Sequence, residues 1–434
     1  MDKYLNKKVA VLGLGIEGVD AINFLLAKGA KITLFEQKEN KNLDFEGIQK
    51  AKIKIVSGKN YLSGGLKDFD YIVRSPGIYR FTPEIVEAEA SGAKVTSAIK
   101  IFFEECPGKI IGVTGTKGKG TTSTLIYRIL ETSGKEVYLV GNIGKPYLQL
   151  LPKLSDKSWV IVELSSFQLI DMKASPHIAV VLNITQDHLD WHKDREEYLK
   201  SKENIVKYQN SSDFSVINEE YSQSKNFAKL SNAKIIFFSK NSLEQKYKVG
   251  LQLKGEHNLE NIAAAVAAAK CVEIPDKIIL NVVKAFRGLE HRLEFVREVN
   301  GIKFYNDSFA TGPQPTIAAI NSFTEPETVI LGGSEKGLEF KELRKVIEQK
   351  ENVRNLITIG LIGKKIVRGI KKKKIIDLGT TPMTQIVKKA FEITPKGGVV
   401  ILSPAAASFD MFENYKDRGN QFKKAVRQLN EKKD

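Results

Sequence analysis

Ile110 to Thr122 reads I-I-G-V-T-G-T-K-G-K-G-T-T, an apolar strand running into a glycine-rich turn that carries Lys119 and opens a helix. That order of residue types suits the phosphates of a nucleoside triphosphate. Gly115, Gly118 and Gly120 let backbone N–H groups crowd toward one point, the helix presents its positive N-terminus, and Lys119 adds a full charge for the β and γ phosphates. An ordinary strand-to-helix loop is the competing reading. The usual spacing G-x-x-x-x-G-K-[ST] is not met, because Val113 stands where it needs glycine and Gly120 where it needs a hydroxyl. A hydroxyl ligand for Mg²⁺ must then come from Thr121 or elsewhere.

Other strand ends carry candidate chemistry. Ser158 to Gln168, S-W-V-I-V-E-L-S-S-F-Q, releases Glu163 at the C-terminal end of a strand, the side of a parallel sheet where ligands collect. A carboxylate there can hold Mg²⁺ beside the γ phosphate, although a surface glutamate ending a strand looks the same. Val180 to His192 empties an apolar strand into T-Q-D-H-L-D-W-H, whose two aspartates and two histidines can bind a divalent cation. Three of the five histidines fall there and in G-E-H-N-L-E-N, while a lone histidine is more often a packing residue. Gly255 to Ala269 starts a small-residue helix with Asn258 and Asn261 three apart on one face, suited either to the edge of a base or to helix capping. Farther on, Arg292 could neutralise phosphate charge and Asp307 could orient a ribose or a metal-bound water, or the two could form structural ion pairs.

A second phosphate-binding opening lies at the start of the chain. Val9 to Leu12 reads as a buried strand, Gly13, Gly15 and Gly18 complete G-x-G-x-x-G, and a helix follows through Leu26. The next strand, Lys31 to Phe35, ends at Glu36, where a ribose-binding acid would sit. Tyr71 to Val73 reads as another strand, ending in R-S-P-G, a turn in which Gly77 can approach a ligand closely. Taken alone this is a dinucleotide fold, yet an oxidoreductase would not need the cradle at Lys119.

These sites need elements to position them. Strands and helices alternate almost throughout, which predicts α/β architecture with mostly parallel sheets. A chain of 434 residues predicts two to four domains, and the motifs separate into residues 1–98, 99–287 and 288–434. The third segment adds strand-to-loop sites at Val329 to Phe340 and Val399 to Phe412, and such loops usually carry recognition. With 42% hydrophobic and 27% charged residues and no long apolar run, a soluble protein without membrane insertion is expected. Cys106 and Cys271 are too few for a disulfide framework or a cysteine zinc site, which fits the cytoplasm. The net charge of +16 suits nucleic acid or substrates bearing several phosphates. Lys371 to Lys374 form the one dense basic run, and without aromatic interleaving it reads as a solvated loop.

The order G-T-K-G-K-G-T, G-N-I-G (Gly141 to Gly144), V-E-L-S-S-F-Q, T-Q-D-H-L-D, H-N-L-E-N, H-R-L-E and N-D-S resembles the Mur ligases of peptidoglycan synthesis over nearly the whole chain. The opening G-L-G-I-E-G, R-S-P-G, I-L-G-G-S-E-K-G and the late L-S-P-A-A-A-S-F-D-M-F-E-N-Y-K-D-R-G-N-Q-F are most similar to the branch joining D-glutamate to UDP-N-acetylmuramoyl-L-alanine. L-glutamate, or the reaction of another Mur or folylpolyglutamate-type ligase, is the alternative. The resemblance implies a Rossmann-like UDP-binding domain, a central P-loop-type ATPase domain and a C-terminal Rossmann-like domain, acting as a monomer with ATP and Mg²⁺. The first glycine fingerprint would then hold UDP-sugar through Gly13, Gly15, Ile16, Glu36, Ser75 and Gly77, with Asn142 near it or near the reacting centre. ATP would take Gly115, Thr116, Lys117, Gly118, Lys119, Gly120, Thr121, Asn258 and Asn261, with Arg292 and Asp307 from the third domain. The resemblance makes Glu163 and His188 metal ligands with Thr121, and Lys202 the lysine carbamylated to hold a second Mg²⁺. Thr311, Lys336, Ser408 and Tyr415 match positions that receive glutamate. The chain departs from the common pattern at Gly120 and at Phe309, where a lysine often follows N-D-S.

Overall fold

The computed structural model describes the chain apart from residues 1, 40–47, 49–51, 64, 142–145, 186–190, 254, 336 and 430–434. Three sheets follow one another along the sequence. The first holds β1 (Lys8–Leu12), β2 (Lys31–Glu36), β3 (Lys54–Ser57), β4 (Tyr71–Arg74) and β5 (Lys94–Thr96), all parallel, in the order β3-β2-β1-β4-β5. The second holds β6 (Lys109–Thr114), β7 (Val137–Gly141), β8 (Trp159–Glu163), β9 (Ile178–Val181), β10 (Phe214–Asn218) and β11 (Lys234–Phe238), again parallel, in the order β11-β10-β9-β6-β8-β7.

The third sheet holds β12 (Glu294–Val299), β13 (Ile302–Asn306), β14 (Glu327–Gly332), β15 (Val353–Ile359), β16 (Lys374–Gly379) and β17 (Val399–Leu402). Its order is β12-β13-β17-β14-β15-β16, parallel except for the β12–β13 hairpin. That antiparallel edge departs from the alternation of strand and helix, because Asn300 and Gly301, both at positive φ, turn the chain straight back on itself.

Continuous apolar runs explain the parallel sheets. Val9–Leu12 and Val160–Val162 are fully buried, as strands covered on both faces by crossover helices must be. The strand order reverses between β1 and β4 in the first sheet and between β6 and β9 in the second, so each sheet opens a crevice at its carboxyl edge there.

The chain divides into two compact units, Met1–Leu251 with Glu256–Ala285, and Gln252–Gly255 with Phe286–Asp434. The first unit contains the first two sheets, and one apolar cluster runs through both, from Tyr4, Val9 and Leu25 to Val162, Ile205 and Phe227. Polar contacts reinforce the junction. Buried Asp20, on the helix Ile16–Ala27, accepts the backbone N–H groups of Leu148 (2.8 Å) and Gln149 (3.1 Å) at the start of the 3₁₀ turn Leu148–Lys153. Asp171 meets Arg80 at 2.9 Å, Lys100 at 3.2 Å and Arg74 at 3.5 Å.

Candidate active site

The turn after β6 is built on backbone contacts to the end of β9. Thr116 N–H donates to the Asn183 carbonyl (2.7 Å) and Lys117 N–H to Asn183 Oδ1 (2.9 Å). Gly115 is pressed so close that an added Cβ would lie 2.7 Å from Leu182 Cβ. Gly118, at φ +85°, is the residue before the helix Lys119–Thr132, and a Cβ there would overlap Asn261 Oδ1. Glycine is therefore required by conformation and by space. The N–H groups from Gly118 to Thr121 begin the helix, where backbone donors lack an intrahelical acceptor, an arrangement that suits an anion. Lys119 Nζ folds over the turn, donating to the Gly115 (2.9 Å) and Thr116 (3.1 Å) carbonyls.

Asn258 and Asn261 flank this turn on the helix Glu256–Cys271, which packs against the cradle helix. Thr122 hydroxyl donates to Asn261 Oδ1 (3.3 Å), and Asn261 Nδ2 donates to Asn258 Oδ1 (2.9 Å). Gly255 precedes the helix, so neither asparagine occupies the capping position.

Lys202 comes from beneath. On the helix Arg195–Lys207 it is buried, and its Nζ donates to Thr114 Oγ1 and the Gly115 carbonyl, both at 3.2 Å. The Tyr198 hydroxyl, one turn earlier, lies 2.9 Å from Thr116 Oγ1. Glu163 ends β8 opposite Val113 of β6 and Gly141 of β7, also buried. Glu163 and the half-buried Thr121 offer hard oxygen donors of the kind Mg²⁺ takes. An ammonium at Lys202 offers only donors, so it could join them as a ligand only once converted to a carbamate. His188 lies outside the described residues, and among the described residues no three His, Cys, Asp or Glu side chains form a metal cluster. The second histidine of that segment has packing partners. His192 is buried, with Nε2 2.9 Å from Ser166 Oγ, Nδ1 3.1 Å from Glu197 and its ring stacked on Phe167.

The amino-terminal fingerprint lines a cleft of about 470 Å³ at the β1/β4 switch point. Gly13, Gly15, Ile16, Glu36, Ser75 and Gly77 all border it, as do Gly141 and Tyr147 of the second sheet's segment. A Cβ on Gly18 would overlap the Gly13 carbonyl, so the third glycine serves helix–turn packing. Glu36 Oε2 accepts the Leu14 N–H (2.7 Å), which fixes the turn itself. Asn142 lies outside the described residues.

Sequence reasoning missed the polar network that borders this cleft. Gln168 Nε2 donates to Glu17 Oε1 (2.7 Å) and to the Tyr147 hydroxyl (2.8 Å), joining the first sheet's helix to the second sheet's segment. Burial raises the Glu17 carboxyl above its ordinary range. Glu17 is an unspecified position of G-x-G-x-x-G and Tyr147 stands in no motif, so no sequence signal marks either.

In the second unit, the loops after β13, β14 and β17 leave the same edge of adjacent parallel strands. Asp307 accepts the Leu293 N–H (3.1 Å) on one oxygen and the Ser403 hydroxyl (2.7 Å) on the other, and burial pushes its pKa up to about 7. Arg292 is exposed on the adjoining turn. Ser308 hydroxyl donates to the carbonyl of Tyr415, the first residue of the helix Tyr415–Arg427. Buried Arg418 clamps these loops by donating to Ser308 Oγ and to the carbonyls of Ser308, Ala406 and Ala407. Thr311 and buried Ser408 sit on the loops so held, while Lys336 lies outside the described residues. Arg418 lies in the late motif that carries the resemblance, but its type and spacing assign it no role of its own.

Comparison with known proteins decides the family. Residues 7–97 match the Mur ligase MurD-like N-terminal domain and residues 113–249 the Mur ligase middle domain. A UDP-N-acetylmuramoylalanine--D-glutamate ligase from Acetivibrio thermocellus is 40% identical, covering 98% of this chain and 97% of its own. The chain belongs to the Mur ligase family. The protein of the same name from Clostridium tetani is 38% identical over the same shares. This Mur ligase also has the fold of the MurF ligase from Thermotoga maritima, solved in complex with ADP (TM-score 0.57, 19% identity, 99% of this chain and 97% of that one). The UDP-N-acetylmuramate-alanine ligase MurC of the same organism gives a TM-score of 0.57 at 17% identity, covering 97% and 99%.

Proposed function

We infer that this Mur ligase joins D-glutamate to UDP-N-acetylmuramoyl-L-alanine in peptidoglycan precursor synthesis, with ATP as phosphoryl donor and release of ADP and phosphate. One observation carries the reading. The cleft lined by Gly13 and Gly141 and the cradle after β6 are joined by a single ladder, in which Gly141 pairs with Glu163 and Glu163 with Val113. A nucleotide-linked acid in the first and a triphosphate in the second can therefore meet at Glu163.

The chemistry follows from what an amide requires. The alanyl carboxylate attacks the γ phosphorus to give an acyl phosphate, and the glutamate amine then displaces phosphate through a tetrahedral intermediate. Two anions must approach first. At 4 Å and an effective dielectric near 20, a unit pair repels by about 4 kcal/mol, which Lys119 and the cradle N–H groups counter. Mg²⁺ would supply the remaining charge neutralisation, held by Thr121, Glu163, His188 and a carbamylated Lys202. We assign Asn258 and Asn261 to ATP, Arg292 and Asp307 likewise to the nucleotide, and Thr311, Lys336, Ser408 and Tyr415 to glutamate. Asn142 belongs with the UDP-sugar. Boundaries near 98/99 and 287/288 are supported by their position between the last strand of one sheet and the first of the next. A cytoplasmic monomer fits these substrates, and among the described residues no helix is long and apolar enough to cross a membrane.

The test is purified protein with ATP, Mg²⁺, UDP-N-acetylmuramoyl-L-alanine and each glutamate enantiomer, reading phosphate release and product mass. Turnover with D-glutamate is expected. Turnover with L-glutamate alone would reassign the acceptor, and none with either would end the assignment.

A further inference from the structure

Phe309 stands where the family often has lysine, and its surroundings give it a different task. Although 39% exposed, its ring is engaged on two sides. The Arg292 guanidinium carbon lies 4.0 Å from the ring centroid, and the Tyr415 ring stands edge-on at 5.0 Å and 89°. Phe309 N–H donates to the carbonyl of His291 (2.9 Å), the residue before Arg292.

The turn carrying Arg292 is itself tightly held. His291 (φ 63°) and Leu293 (φ 46°) are both left-handed, a conformation that non-glycine residues keep only when their surroundings impose it. His291 N–H donates to Glu294 Oε2 (2.9 Å) and Leu293 N–H to Asp307 Oδ1 (3.1 Å). The backbone thus aims Arg292, and the aromatic face restrains its side chain. An arginine in water samples many rotamers, whereas one resting on a ring has surrendered part of that freedom before any ligand arrives.

We propose that Phe309 is a positioning residue, holding Arg292 by stacking for the phosphates of ATP and tying it through Tyr415 to the acceptor loops. The proposal rests on the reading that Arg292 serves the nucleotide. A lysine at 309 would bring a second cation, while phenylalanine brings order to the one beside it.

The test is steady-state kinetics with ATP varied and UDP-N-acetylmuramoyl-L-alanine and D-glutamate saturating. Phe309→Leu should lower kcat/KM for ATP by about tenfold, and Phe309→Tyr, which keeps the ring, should recover most of that loss. Phe309→Met removes the ring while keeping its bulk and should repeat the loss. In an Arg292→Ala background, Phe309→Leu should cost nothing further, because its effect runs through the arginine. Additive losses, or Phe309→Leu and Phe309→Met kinetics equal to the parent, would overturn the proposal. Parent-like ATP kinetics in Arg292→Ala alone would instead remove the role of Arg292, and the proposal with it.

Discussion

Single positions in the phosphate turn are under two constraints at once. Gly118 combines φ +85° with a site where a Cβ would overlap Asn261, so Gly118→Ala must either flip the turn or push the asparagine away. Either response misplaces the N–H groups that begin the helix. Affinity for ATP should fall by at least about tenfold, measured by titration calorimetry, and unchanged affinity would show that this turn does not hold phosphate. Lys119→Ala tests charge without touching the backbone. Phosphate release should fall by about 10² or more, while the far-UV circular dichroism stays that of the parent.

Among the elements, β14 begins with an ionisable group sealed inside the third sheet. Glu327 is fully buried, accepts from Asn352 Nδ2 at 2.6 Å, and is pushed by burial from 4.5 up to about 8. The folded chain thus keeps this proton where the unfolded chain has released it. Stability therefore declines as pH rises from about 4.5 to about 8, the reverse of a salt-bridged carboxylate. Glu327→Gln should flatten that slope and leave the second unit about 1–3 kcal/mol more stable than the parent at pH 8, with little difference at pH 4.5. Urea denaturation at the two pH values reads it, and parallel curves would refute the assignment.

For the whole molecule, the junction of the first two sheets decides whether the cleft and the cradle face one another. Asp171 lies among Arg74, Arg80 and Lys100. Burial alone would raise its pKa, but Lys100, Arg74 and Arg80 outweigh it and the carboxyl is held below its usual value. The stability it contributes is therefore present above about pH 4 and is lost as pH falls through the lowered value. Asp171→Asn leaves three cations without their shared anion. It should cost about 3–5 kcal/mol in the first unit and raise KM for UDP-N-acetylmuramoyl-L-alanine, read by denaturation and kinetics. A stable variant with parent KM would show that the junction stands on apolar packing alone.

What could be read from the chain by itself was local. Apolar runs ending in glycine or polar residues mark strands with functional carboxyl edges, because the backbone demands of a buried strand, a tight turn and a helix start are met within a dozen residues. That is why the fingerprint at Gly13 and the cradle at Gly115 were legible, together with the parallel α/β class. Only the tertiary structure brought Gln168 to Glu17 and Tyr147 beside one cleft, put Lys202 under Thr114, withdrew His192 into a packing network and laid Arg292 across Phe309. Each of these depends on side chains far apart in sequence meeting where strand order reverses or where helices cross. Their energies come from burial and from partners supplied by other elements, and no spacing along the chain encodes which partner arrives.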